Sequence, residues 1–221
     1  EGGEVRHQGR IGGDMNALWR AVRKLESSGR ELMFVYEAGP CGFVIYRGLQ
    51  ARGHECWVVA PSNTPRRVRD RIKTDRRDSL SLARLHRAGE LTPVWVPDEA
   101  QEALRDLTRA REDMKQLQSQ SRQRLSAFLL RHGQIYSGKS NWTQAHSRWL
   151  EERKFEQPVQ QIVFQEYVDA VKALSTRVAA LDEQIASATA AAVFWPVIEA
   201  LMALRGVNLL TASTIVAEIG D

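Results

Sequence analysis

Eight side chains, Phe164, Tyr167, Val171, Leu174, Val178, Leu181, Ile185 and Ala188, recur at unbroken three- and four-residue spacing. A stripe kept over more than three heptads commits this stretch to a long helix that needs a partner along its whole length. The candidate partner lies upstream. From Asp98 to Arg131 no strand pattern occurs and Leu, Gln, Arg and Glu dominate, which predicts one long helix with Leu104, Leu107, Met114, Leu125 and Phe128 along its seam. Arg111, Gln118 and Ser121 fall where a heptad wants apolar groups, so the seam is imperfect. His132-Gly133 breaks this helix, and the Trp- and Ser-containing stretch to Pro158 is a linker or a shorter helix. Either the two long helices close into an antiparallel hairpin or each pairs with a second copy of the chain, as a dimer or a higher assembly.

The first 97 residues read differently. Glu4-Val5-Arg6-His7-Gln8 alternates like a strand, Gly12-Gly13 follows, and Asp14 caps a helical run through Leu18, Val22 and Leu25. Leu32 to Tyr36 is a short apolar run followed by Gly39-Pro40 and a helical pattern through Val44 and Leu49. Cys56-Trp57-Val58-Val59 is a second buried-strand candidate, Thr74 to Gly89 a helix with Gly89 as its stop, and Pro93 to Pro97 an extended segment. Strands alternating with helices at this spacing predict an α/β layer with a partly parallel sheet. After residue 192 the pattern shortens into two helices around Arg205-Gly206-Val207-Asn208, either a helix-hairpin-helix whose turn amides approach a phosphate or a plain helical turn. The predicted divisions are therefore 1–97, 98–192 and 193–221.

Charge narrows the partners. The net charge is only +4, but nine Arg or Lys residues lie between Arg66 and Arg87, among them Arg66, Arg67, Arg69, Arg71, Lys73, Arg76 and Arg77. Such a cluster neutralises phosphates and releases their counterions, so nucleic acid is the expected partner class. No apolar run approaches 20 residues and the start lacks the basic-then-apolar order of a signal peptide, so no membrane partner and a cytoplasmic protein are expected. Cys41 and Cys56 form neither a CxxC pair nor a zinc-finger spacing, and both are expected as reduced thiols. His54, His86 and His132 show no partner pattern and read as surface or cap residues.

Three carboxylates stand out. Glu37 closes a predicted buried strand, at the end where open α/β sheets carry their functional groups. Asp75 and Asp78 lie three residues apart at the start of a predicted helix, on one face and close enough to share a cation. Oxygen ligands on separate elements suit Mg²⁺, which activates a nucleophile and stabilises the leaving oxygen in phosphodiester displacement. Spacing alone equally allows Asp75 as a dipole-favoured first-turn residue and Asp78 as a surface ion-pair partner.

Four stretches in order, Tyr36-Glu37-Ala38-Gly39-Pro40-Cys41-Gly42, Val58-Val59-Ala60-Pro61-Ser62, Lys73-Thr74-Asp75-Arg76-Arg77-Asp78 and Leu204-Arg205-Gly206-Val207, resemble the one-ten family of insertion-sequence transposases, the bridge-RNA-guided DEDD recombinases. The resemblance runs through essentially the whole chain. It implies an RNase-H/RuvC-like nuclease domain, a coiled-coil region and the start of a helical C-terminal transposase domain. It also implies Mg²⁺-dependent DNA strand cleavage and transfer guided by a bridge RNA. By position, Glu37, Asp75 and Asp78 match the second, third and fourth letters of DEDD. The Arg66 to Arg77 stretch would then lie beside the scissile phosphate or the guide, and Arg205, Gly206 and Asn208 form a further nucleic-acid contact.

Two departures follow from the resemblance. The first family aspartate belongs on a strand before Glu1, so the first strands of the RNase-H sheet are expected to be missing, and the Phe34 edge is left unpaired. The nucleophilic serine belongs beyond Asp221, and Ser213 is a helical serine only. The chain is thus expected to be truncated at both ends and inactive alone. Two other function classes stay open: a non-catalytic nucleic-acid-binding dimer, and a structure-specific junction nuclease.

Overall fold

The computed structural model describes residues 5–65 and 74–220, which divide into two compact units, Glu1–Val96 and Pro97–Asp221. The first unit is built on two parallel strands, β1 (Met33–Glu37) and β2 (Glu55–Val59), in register from Met33 opposite Glu55 to Glu37 opposite Val59. α1 (Met15–Glu26) starts where the Asp14 carboxylate accepts from the Ala17 amide at 2.9 Å, satisfying one of the donors a helix start leaves open. α2 (Val44–Gln50) connects the strands, and α3 (Asp75–Ala88) ends at Gly89, whose φ of +70° suits a residue without Cβ. The extended segment after α3 runs back along β2, with a Val59–Pro93 antiparallel bridge and the Val94 amide donating to the Val58 carbonyl at 2.7 Å.

Strand alternation sorts the side chains into two layers. Phe34, Tyr36 and Cys56 pack with Val22 of α1 and Leu49 of α2, whereas Val35, Trp57 and Val59 pack with Leu82 and Leu85 of α3 and with Leu91. Gly48 marks the closest approach in the first layer, since a Cβ there would stand 2.8 Å from the Trp19 ring. One expectation fails. The alternating stretch Val5 to Gln8 is irregular rather than a strand, and β1 has no second strand neighbour among the described residues. Alternation gives a strand no place unless an edge offers its hydrogen bonds, and here none is paired with it.

The second unit is a helical hairpin. α4 (Glu99–Arg131) and α6 (Pro158–Ala190) each hold 33 residues, about 50 Å at the rise of an α-helix. Arg111 of α4 meets Asp182 of α6, while Gln118 meets Ser175, so seven residues up one helix match seven down the other. The pairing is antiparallel and within one chain. Leu125, Phe128, Leu129, Leu150, Phe164, Val168 and Val171 form the apolar core at one end, joined by α5 (Gln144–Glu151).

Two of the three polar seam residues have polar partners across the hairpin. Arg111 donates to Asp182 at 2.8 Å and Gln118 donates to the Ser175 hydroxyl at 3.0 Å, so these two apparent defects of the seam are matched. At the far end the apolar stripe is displaced by one position, because Thr189 is buried and Ala188 exposed. The buried threonine returns its hydroxyl to the Ile185 carbonyl at 2.8 Å.

α7 (Trp195–Met202) and α8 (Leu209–Ile219) complete the unit around Ile198, Ala212 and Val216. α8 ends against α4. The Gln101 amide donates to the Val216 carbonyl at 2.6 Å, and Arg105 donates to the carbonyls of Ala217 at 2.8 Å and Glu218 at 3.3 Å. The last carbonyls of a helix lack intrahelical partners, and these α4 side chains supply them. No single helix among the described residues is long and apolar enough to cross a membrane; α6 with α7 passes that test only as a pair bent by 117°.

Candidate functional site

Glu37 is the last residue of β1, half-buried, and alternation puts it on the same face as Val35, which α3 covers. The ladder continues one step beyond it, with the Ala38 amide donating to the Val59 carbonyl at 2.8 Å. The chain then turns, and the Tyr36 hydroxyl donates to the Gly42 carbonyl at 3.0 Å. Burial pushes the Tyr36 phenol up to about 12, so it stays protonated and pins the loop that follows Glu37.

Asp75 and Asp78 occupy the first turn of α3, whose N-cap Thr74 accepts from the Arg77 amide at 3.4 Å. Asp78, Leu82 and Leu85 follow one another at four and three residues, so Asp78 lies on the stripe that continues from the sheet-facing leucines. It is half-buried. Asp75 has its side chain 85% exposed and pairs with Arg10 at 3.2 Å. The helix dipole favours both carboxylates where they stand.

Glu37 and Asp78 therefore face one layer, β1 against α3, whereas the Asp75 side chain stands exposed beside Arg10. Among the described residues no group of three or more His, Cys, Asp or Glu side chains is placed to hold a metal ion. Oxygen donors suit Mg²⁺, yet the residues present do not by themselves fit one.

The basic residues divide. Arg66, Arg67, Arg69, Arg71 and Lys73 lie outside the described residues, while Arg76 and Arg77 are exposed on the first turn of α3. In the second unit Arg205 and Gly206 are exposed in the turn between α7 and α8, Gly206 with φ +88°. Asn208 is the N-cap of α8, its side-chain oxygen accepting from the Thr211 amide at 2.9 Å. Its role is accounted for by the cap. Ser213 is buried and returns its hydroxyl to the Leu209 carbonyl at 2.7 Å, which occupies it within the helix.

The histidines read as surface or cap residues also have ring neighbours, and His132 is the C-cap of α4. His54 bonds Glu26 at 3.0 Å and meets Phe34 edge-on, His86 meets Trp57 edge-on, and His132 packs against Phe128 and Phe155. Sequence reasoning passed over His146 and Trp142, because the stretch before Pro158 reads as a connection, and over Arg122, one of many arginines on the long helix α4. The spacing of His146, Trp149 and Leu150 on one short helix is the signal that was present. His146 is buried, accepts from the Trp142 amide through Nδ1 at 3.2 Å, and burial lowers its pKa.

An α/β layer with acidic groups on one strand end and the facing helix start is the setting in which the family match falls. Residues 1–133 match the family model of IS110-type DEDD transposases, described as a transposase, and the match ends where α4 ends. The chain is 47% identical over 219 residues to the protein named "Putative transposase y4qE" of Sinorhizobium fredii (strain NBRC 101917 / NGR234), covering 99% of this chain and 53% of that one. It is 33% identical over 202 residues to the "Transposase for insertion sequence element IS1533" of Leptospira borgpetersenii, covering 90% of this chain and 58% of that one. The chain belongs to the IS110 family of insertion-sequence transposases. It spans a little over half the length of these relatives.

Proposed function

We propose that this chain is part of a transposase that cuts and rejoins DNA strands for an insertion sequence, guided by a bridge RNA. Its first unit would be an incomplete RNase-H/RuvC-like domain, its long hairpin a coiled-coil platform for self-association or guide binding, and its last two helices the start of a C-terminal transposase domain. The observation that carries the reading is the shared layer of Glu37 on β1 and Asp78 on α3, in a chain of this family. Glu37, Asp75 and Asp78 act as the acidic groups of the site, and the Arg66 to Arg77 stretch holds phosphates beside them. Asp75 pairs with Arg10 through one carboxylate oxygen, and its side chain is exposed. Because the three carboxylates do not complete a site here, a divalent ion requires further ligands, and no reaction step is derived through it.

The test uses the full-length transposase. Glu37→Gln and Asp78→Asn should each abolish strand transfer while leaving binding of DNA and guide RNA within about twofold, since neither change removes a phosphate contact. Retained strand transfer in either variant removes the catalytic assignment.

A second reading is a non-catalytic nucleic-acid-binding protein, favoured by the Arg10–Asp75 pair and by the lack of a gathered metal group among the described residues. It predicts that the full-length parent itself performs no strand transfer, while the carboxylate variants bind nucleic acid as well as the parent. A junction nuclease would share the acidic layer but cut branched DNA without a guide, which a comparison of branched and linear substrates separates.

A further inference from the structure

A cavity of about 540 Å³ opens where α4, α5 and α6 meet, inside the second unit. Leu125, Val168 and Val171 form its floor, while Arg122, Ser147 and Lys172 bring hydrogen-bond donors to it. Its size falls within the ordinary range of small-ligand pockets.

Arg122 is the anomaly of this cavity. Its Nε is buried with no hydrogen-bond partner, the only such side-chain atom among the described residues. A guanidinium does not shed its proton, so it meets the cost of burial as a cation. The Trp142 ring lies against it, its centroid 5.0 Å from the guanidinium carbon, and the side chain as a whole is half-buried.

Trp142 is itself held at a cost. Its φ of +65° is in the left-handed region, and it is the one non-glycine residue of positive φ among the described residues. A bulky side chain adopts that conformation only when its surroundings impose it. The Trp142 amide is bound by the buried His146, and the ring is set against Arg122 and His146. Local strain and an orphaned donor thus converge on one cavity, which is the pattern of a site shaped for something not made by the chain itself.

Charge identifies the occupant. Arg122 and Lys172 contribute two positive charges and Glu151, 3.7 Å from Lys172, contributes one negative charge, so the cavity carries a net single positive charge. A phosphodiester is a monoanion, whereas a terminal phosphate is close to a dianion at neutral pH. Lys172 and Glu151 have side chains 58% and 62% exposed, so the rim is open and a continuing strand can leave through it. We propose that this cavity holds one nucleotide of a single-stranded nucleic acid, with its phosphodiester on Arg122, Lys172 and Ser147 and its base on the apolar floor.

The guanidinium fork matches phosphate oxygens, and the apolar floor accepts a base without reading its edge, so binding should be tolerant of sequence. The inference uses the nucleic-acid reading of the family only to name the strand. It stands or falls apart from the carboxylates, since the cavity lies in the other unit.

Fluorescein-labelled 12-residue DNA and RNA oligonucleotides, single-stranded and as duplexes, are titrated with the full chain and followed by anisotropy. Arg122→Gln should weaken single-strand binding about tenfold, the loss of one charge-assisted contact, and leave duplex binding unchanged. The DNA and RNA arms show which strand is taken. Lys172→Gln, at an exposed position that folding tolerates, should weaken the same binding about threefold, and a photo-crosslinked strand should map to the peptide containing Trp142. Single-strand binding unchanged in both variants overturns the proposal, as does an equal loss for single strands and duplexes, which would mean unspecific charge. Adenosine monophosphate that displaces the bound oligonucleotide at lower concentration than unlabelled oligonucleotide does also overturns it, in favour of a free nucleotide.

Discussion

Removing Arg105 should loosen α8 from α4 without unfolding the hairpin. The side chain is 11% exposed and donates through Nε to the carbonyl of Ala217, a residue that is fully buried, and through its terminal nitrogen to Glu218. Arg105→Met keeps the length of the stem and deletes both donors. The Glu218 carbonyl lies at an exposed position and takes water in exchange, so the cost comes mainly from Ala217, about 2 kcal/mol for a lost charged donor to a buried acceptor. That converts to about a 30-fold rise in local opening of α8. Hydrogen exchange followed by mass spectrometry reads this on peptides covering Leu209–Ile219, with Arg124→Met, an exposed α4 position, as control. If α8 exchanges within twofold of the parent, or if α4 and α6 loosen equally, the capping role given to Arg105 is wrong.

Three further outcomes follow from particular side chains. Leu125 is completely buried at the hairpin's apolar end, so Leu125→Ala should cost about 3–5 kcal/mol in urea unfolding, and a loss below about 1 kcal/mol would mean that the core end is loosely packed. Burial lowers the pKa of His146 below its ordinary 6.5, so the unfolded chain binds the extra proton first. The stability this residue contributes is then complete above about pH 6.5 and is lost as pH falls through the folded value. Melting temperature against pH should show that decline, and it should flatten in His146→Gln; an unaltered slope in the variant would assign the decline elsewhere. Cys41 is exposed, whereas burial pushes the buried Cys56 thiol up to about 11, so iodoacetamide at pH 8 should label Cys41 many times faster. Peptide mapping that finds Cys56 labelled at the same rate contradicts the packing of β2 against α1 and α2.

Elements written in local signals were legible in the chain. Asp14, Thr74 and Asp98 each announce a helix start, and each accepts from the amide three residues on. The apolar runs at Met33–Glu37 and Glu55–Val59 read as buried strands because both faces are covered, by α1 and α2 on one side and α3 on the other. Val5 to Gln8 shows the limit of that reading, since alternation describes a strand's faces and says nothing of whether an edge exists to receive it.

Sequence by itself determined the helix periods, the parallel strand pair, the basic character and the family, because period, capping and motif are properties of neighbours along the chain. Only the tertiary structure decided that Arg111 faces Asp182 and Gln118 faces Ser175, which turns an imperfect heptad into a matched seam. It alone committed Asp75 to Arg10, and it alone brought Arg122, Trp142 and Lys172 to one cavity from three separate segments. Such pairings depend on where distant segments are carried by the packing of apolar faces, and a polar side chain's partner is fixed only once those faces have met.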